Sequence, residues 1–250
     1  MYELEKKVYF SDVGPDSKLS INGMISAIQD CINYHIESLG KGVSYLKSIN
    51  RVWFTVSWNI EIKKMPQLYD DLKVRTWPYG FTSLMGKRNV VIADSKDDVI
   101  ICAESNWAYM DWEKQQPTRI TEKDVEYFVI EDRYPMEEVS RKIKLPEEFT
   151  FVESIKVRKA DLDVNKHMTN GKYIVHACEY VDYDNITNIR IEYKEQSRLD
   201  EIIDVYINEN ILTETNTNVY VIRFVNHETG TDKAIIEIKT RAGDNQQNNI

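Results

Sequence analysis

The sequence predicts an α+β chain built as a duplication, each half an antiparallel sheet wrapped around a long central helix. Three observations carry this. Two segments repeat apolar residues at helical spacing. Each is followed by Val-, Ile-, Trp- and Tyr-rich segments separated by turn residues, and the pair Asn22-Gly23 recurs as Asn170-Gly171, 170 − 22 = 148 residues on. On that alignment Ser17 faces Asn165 and Leu19 faces His167.

In the first half, Ile21, Met24, Ile25, Ile28, Ile32, Ile36 and Leu39 share one helical face, with Ser20 placed to cap the helix and Gly40 to stop it. Strands are predicted at 52–62, 72–77, 84–93 and 99–111. Pro66, the Pro78-Tyr79-Gly80 run and the Asp94 to Asp98 turn separate them, and the last of these suits a hairpin. A polar, proline-marked stretch from 115 to 148 follows, with a short helix predicted at 121–128. The second half then opens with a strand at 151–158 and a helix turning Tyr173, Ile174, Ala177, Cys178 and Val181 inward. Strands at 188–195, 201–208, 218–226 and 233–241 complete it. The domain reading is therefore 1–130, a linker at 131–148, 149–241, and a Gln/Asn-rich tail at 242–250 that is expected to fray.

Composition removes several classes. At 250 residues, 42% hydrophobic and 29% charged, the chain has the apolar content for one large core or two modest ones, too much for disorder. Its longest apolar runs, such as Val99-Ile100-Ile101-Cys102-Ala103, are strand-sized, and no membrane span is expected. No secretory signal is read at the N-terminus, so the mature chain is expected to start at Met1. With 32 Lys and Arg against 41 Asp and Glu, the net charge of −9 argues against nucleic acid or an anionic membrane as partner. The odd, widely spaced Cys31, Cys102 and Cys178 suggest neither disulfides nor zinc, which fits a reducing cytoplasm.

One segment concentrates chemistry: Ala160-Asp161-Leu162-Asp163-Val164-Asn165-Lys166-His167-Met168-Thr169-Asn170-Gly171-Lys172-Tyr173. Capping before a helix explains part of it. An EF-hand does not, because Lys166 stands where the loop needs Gly and Lys172 where it needs a bidentate Glu. Zinc would need a second His or Cys at ligand spacing, so no metal is called for. His35 and His176 read as packing or surface residues, His227 as a turn residue, and the five Trp as core or cleft lining.

The pattern Asp161-x-Asp163-x-x-x-His167-x-x-Asn170-x-x-Tyr173 resembles the signature of hotdog-fold thioesterases. The longer run Leu162 to Ile174 is similar to the active-site run of the acyl-[acyl-carrier-protein] thioesterases of plants and bacteria. In the first half, Ala103 to Asp111 followed by Pro117-Thr118-Arg119-Ile120 resembles that family's strand and arginine-bearing loop. The resemblance implies a tandem hotdog fold and hydrolysis of fatty acyl carrier-protein thioesters without a cofactor. Residues matching Asp163, Asn165, His167 and Glu195 would form the catalytic group. Many plant members carry Cys where this chain has Gln196, so a Cys-His nucleophile is not available here.

Hydrolysis needs a base for water and donors for the oxyanion. Glu195 or Asp163 can serve as base. Asn165, His167 and backbone N–H groups near Asn170 can donate. Direct attack by Asp163, giving a mixed anhydride, stays open. Glu195 is expected on a strand, buried beside the acyl channel, with pairing to Lys194 or Arg198 as the alternative. Met24, Ile25 and Ile28 either line the acyl pocket or pack the core. Arg158, Lys159, Lys166 and Lys172, with Lys156 nearby, read as a solvated face or as a docking patch for an acidic carrier protein. Expected partners are acyl carrier protein, through its phosphopantetheine arm, and a fatty acyl chain, with a homodimer left open. The competing readings are an acyl-CoA thioesterase, a tandem-hotdog enoyl hydratase and a noncatalytic acyl-binding module.

Overall fold

The Ser20 hydroxyl accepts the Gly23 N–H at 3.0 Å and donates to the Asp12 carbonyl at 2.8 Å, so helix α1 (Ile21–Ser38) starts where its cap predicts. It stops at Gly40, whose φ of 68° lies in the left-handed region that glycine enters without penalty. The computed structural model describes residues 1–212 and 215–241 and divides the chain into two compact units, Met1–Val139 and Ser140–Ile250. The tail expected at 242–250 lies outside the described residues.

Unit 1 contains β1 (Tyr2–Lys7), α1, the short helix α2 (Val43–Ser48), β2 (Arg51–Ile62), β3 (Asp71–Phe81), β4 (Met85–Ala93), β5 (Val99–Asp111) and the two-residue β6 (Gln116–Pro117). The strands run antiparallel in the order β1-β3-β4-β5-β2, with β6 on β5. Helix α1 lies against β3 and β1. Its Ile21, Met24, Ile28, Cys31 and Ile32 are buried, and the Cys31 Sγ meets the Val74 carbonyl at 3.2 Å. Each fully buried Ile contributes roughly 1.5–3 kcal/mol, so this stripe holds the helix in the curl of the sheet.

Unit 2 contains β7 (Thr150–Lys156), helix α3 (Asn170–Cys178), β8 (Ile186–Tyr193), β9 (Ile202–Leu212), β10 (Thr217–Asn226) and β11 (Asp232–Arg241). Its antiparallel order is β8-β11-β10-β9-β7. Helix α3 rests on β11. Tyr173 packs edge-on to Phe224 at 5.4 Å and to Tyr193 at 6.1 Å, and its hydroxyl donates to Ser197 Oγ at 2.7 Å. No helix among the described residues is long and apolar enough to cross a membrane.

Several expectations change. The stretch 121–128 forms only a 3-10 turn at Glu122–Asp124, because the Asp124 carboxylate takes the Thr121 N–H at 2.8 Å and the Tyr109 hydroxyl at 2.8 Å. Helix α3 has 9 residues against 18 in α1, and Val181 falls beyond it, half-buried. Strand β8 ends at Tyr193, which leaves Glu195 in the following turn. Strands continue well past the boundaries read for 72–77 and 201–208. The stretch 131–148 carries no helix or strand. Its early part is tied into unit 1 by the Arg133–Glu104 ion pair at 2.9 Å and the buried Met136. Ile143 packs with Val221 and Ile235 in unit 2.

The duplication is real in the backbone, but its register is one residue longer than the Asn-Gly match suggests. Ser20 corresponds to Thr169, since each precedes its helix and sends its N–H to an aspartate carbonyl, Asp12 or Asp161, at 2.8 Å. Ser17 and Lys166 hold the same left-handed position, at φ 61° and 64°. Lys166, not Asn165, is therefore the counterpart of Ser17, and Met168, not His167, that of Leu19. The sites equivalent to Asp163, Asn165 and His167 are Gly14, Asp16 and Lys18.

Candidate active site

The turn entering α3 is built around Asp163. Its Oδ1 accepts the backbone N–H of Asn165 at 2.8 Å and of His167 at 3.0 Å. Its own N–H donates to the His167 carbonyl at 2.8 Å, and its carbonyl accepts the Lys166 N–H at 3.0 Å. One carboxylate thus closes five residues into a loop, in the manner of an Asx turn. Asp161 does the corresponding work one turn earlier, where its Oδ2 caps the Arg158 N–H at 2.8 Å. The loop is fastened to the segment after β8 by a backbone bridge between His167 and Arg198 and by the Met168 N–H, which donates to the Ser197 carbonyl at 2.8 Å.

His167 is partly buried, and that burial holds its imidazole below the usual range. Arg198 adds to the effect, while Asp163 and Glu201 oppose it. The ring is therefore neutral at pH 7, so it carries one N–H donor and one acceptor nitrogen. Asn165 stands two positions before it, half-buried in the same turn. Asp163, Asn165 and His167 are thus brought together, as their spacing predicts.

Glu195 is held differently. It is 52% exposed, accepts the Thr231 hydroxyl at 3.2 Å and pairs with Lys233 Nζ at 3.4 Å. The burial expected of it is absent, because β8 ends two residues earlier, and its partner is Lys233 rather than Lys194 or Arg198. Lys233 itself is buried. Its ammonium also meets Glu201 Oε2 at 3.1 Å and donates to the Gln196 carbonyl at 3.1 Å. Glu201 thus links the Lys233–Glu195 pair to the field around His167. Sequence reading missed Glu201, Lys233 and Ser197. Glu201 and Ser197 do lie in the Glu195 to Glu201 run, but Lys233 is brought in by the pairing of β11 with β8, which no local pattern shows.

Among the exposed bases, Arg158, Lys159 and Lys166 make no ion pair among the described residues, whereas Lys172 lies 3.8 Å from Asp161 and Lys156 2.7 Å from Asp200. No group of three or more His, Cys, Asp or Glu among the described residues is placed to hold a metal. In unit 1, Met24, Ile25 and Ile28 are core residues. The open-sided cavity there is lined by Ile32 and Ile36 from the next turns of α1.

Two units, each a curled antiparallel sheet around a helix, with one polar turn at the start of the second helix, define a tandem hotdog protein. The chain belongs to the acyl-ACP thioesterase family: residues 1–128 match its N-terminal domain and residues 144–242 its C-terminal domain. Among curated relatives, the chloroplastic oleoyl-acyl carrier protein thioesterase 2 of Arabidopsis thaliana is 24% identical over 216 residues, 77% of this chain and 59% of the relative. The chain thus spans somewhat over half the length of that relative. The solved 12:0-ACP thioesterase of Umbellularia californica superposes with a TM-score of 0.85 at 18% identity, over 96% of this chain and 93% of that one. An acyl-ACP thioesterase of Bacteroides thetaiotaomicron gives 0.81 at 19% identity, over 94% and 96%.

Proposed function

We propose that this chain hydrolyses the thioester between a fatty acyl group and the phosphopantetheine arm of acyl carrier protein, and that unit 2 carries the chemistry. One observation carries the reading beyond family membership. The same turn is built twice, yet only the copy before α3 bears Asp163, Asn165 and His167, while unit 1 has Gly14, Asp16 and Lys18. A turn serving structure alone would have no need of the imidazole.

In the proposed reaction, water attacks the thioester carbon, and the carbonyl oxygen takes up negative charge as the tetrahedral intermediate forms. Asn165 and neutral His167 donate to that oxygen, fixed in advance by the Asp163 loop. Glu195, oriented by Lys233 and Thr231, takes the proton from water and returns it to the thiolate as the carbon–sulfur bond breaks. A thiolate is a weak base and leaves with little acid help. Arg158, Lys159, Lys166 and Lys172 would meet the acidic carrier protein beside this turn. The same proposal places the chain in the cytoplasm, since Cys31, Cys102 and Cys178 are all buried free thiols, as a reducing compartment keeps them.

The test offers purified protein parallel panels of acyl carrier-protein and acyl-CoA thioesters and follows thiol and free acid. Release of both from the carrier-protein panel is expected. Absence of thiol release would overturn the hydrolase reading, and a clear preference for the CoA panel would overturn the choice of carrier.

A further inference from the structure

The junction that holds the turn before each helix is built twice, and only its second copy is polar. In unit 1 the Leu19 N–H donates to the Pro66 carbonyl at 2.8 Å, and Lys18 bridges Gln67. In unit 2 the Met168 N–H donates to the Ser197 carbonyl at 2.8 Å, and His167 bridges Arg198. Pro66 and Ser197 are therefore counterparts. So are Met24 and Tyr173, each four residues after its helix cap. All four are buried. Met24 and Pro66 have no side-chain hydrogen bond to share, yet the turn of unit 1 keeps its form. In unit 2 the Tyr173 hydroxyl donates to Ser197 Oγ at 2.7 Å. Burial pushes that phenol up to about 12, so at neutral pH it stays protonated and remains the donor. A hydrogen bond that the fold does without in one copy is thus present in the copy that carries Asp163, Asn165 and His167.

We infer that Tyr173 and Ser197 are positioning residues, whose bond sets the separation between Glu195 and the donors Asn165 and His167. The path is short. Ser197 stands two residues after Glu195, and Tyr173 lies in the first turn of α3, six residues after His167. The bond ties the segment carrying the proposed base to the helix whose entering turn carries the proposed donors. The inference rests on the hydrolase reading and deepens it. A base and oxyanion donors act together only at a fixed spacing, and loosening that spacing costs rate rather than affinity.

The test is a double-variant cycle on the full chain, with the acyl carrier-protein thioester that the native chain turns over fastest, under conditions where every variant is folded by near-UV circular dichroism. Ser197→Ala strands a buried hydroxyl and should lower the urea midpoint, whereas Tyr173→Phe with Ser197→Ala removes both partners and should restore it. In both single variants kcat should fall about tenfold with KM unchanged, and it should stay down in the double variant. Leu19→Ala, at the unit 1 junction, should lower the midpoint and leave kcat alone. Return of kcat together with the midpoint in the double variant overturns the inference, as does native kcat in either single variant. A loss that falls on KM alone, or an equal loss of kcat in Leu19→Ala, also overturns it. Should the double variant fail to fold, Tyr173→Phe decides by the same reading of kcat against KM. Absence of turnover in the native chain removes the hydrolase reading and this inference with it, whereas native turnover beside an equally fast double variant removes this inference alone.

Discussion

A single oxygen of Asp163 orders the loop that presents Asn165 and His167, so the residues expected to touch substrate are not the ones that hold the loop. Asn165→Ala and His167→Ala should each lower kcat by about 10²-fold, the scale of losing one oxyanion donor, with the fold unchanged by circular dichroism. Near-normal turnover in folded Asn165→Ala would remove it from the reaction. These side chains were legible because Asp163, Asn165 and His167 fall within five consecutive positions, where spacing alone predicts proximity. Glu201 and Lys233 were not, because strand pairing sets their neighbours. His35 supports a prediction of another kind. In the unfolded chain its imidazole takes a proton near 6.5. In the folded chain, 8% exposed and donated to by Arg88, it does so only near 4. The unfolded state therefore binds more protons between these values, and stability is lost as pH falls through that window. The contribution is whole above about pH 6.5, and its loss amounts to about 3 kcal/mol. Urea midpoints measured across this range should drop on acidification, and His35→Gln, which keeps an acceptor for Arg88, should flatten the slope.

The two helices end up unequal although the sequence marks both. Ser20 caps α1 with its side chain, whereas the Thr169 side chain makes no such bond to α3. Ser20→Ala should therefore cost about 1 kcal/mol in urea unfolding and Thr169→Ala distinctly less. Equal losses would contradict the caps as drawn. Elements with strong apolar periods, α1 and β2, β4 and β5, were legible near their true ends. Strand β1 was not, because its inward positions Tyr2, Leu4 and Lys6 alternate with Glu3, Glu5 and Lys7, a pattern too polar to suggest a strand. It forms because β3 offers it a full antiparallel register, from Tyr2 opposite Thr76 to Lys7 opposite Asp71. Helix α2, six residues long, gives too few positions for a period to show. The shifted register of the repeat has a similar origin. Asn-Gly is common composition, whereas the feature that truly recurs, a left-handed residue at Ser17 and Lys166, is a backbone property carried by two unlike side chains.

At the scale of the molecule, a net charge of −9 repels an acidic partner at long range, so the proposed docking of a carrier protein would rely on the local bases of unit 2. Raising salt should weaken turnover of carrier-protein thioesters more than that of small thioesters, read in kcat/KM, because screening acts on exposed charges separated by water. Equal sensitivity would remove Arg158, Lys159 and Lys166 from recognition. The cysteines bear on how such turnover is counted. Burial pushes the thiols of Cys31, Cys102 and Cys178 up to about 12, and each is at most 2% exposed. Aromatic disulfide reagents react with thiolates they can reach. The folded chain should give them almost no colour, and the urea-unfolded chain should give three equivalents. In the proposed assay the protein is then its own blank: every sulfur that appears in a continuous colorimetric trace comes from the leaving group, and progress curves can be followed at high protein concentration without correction.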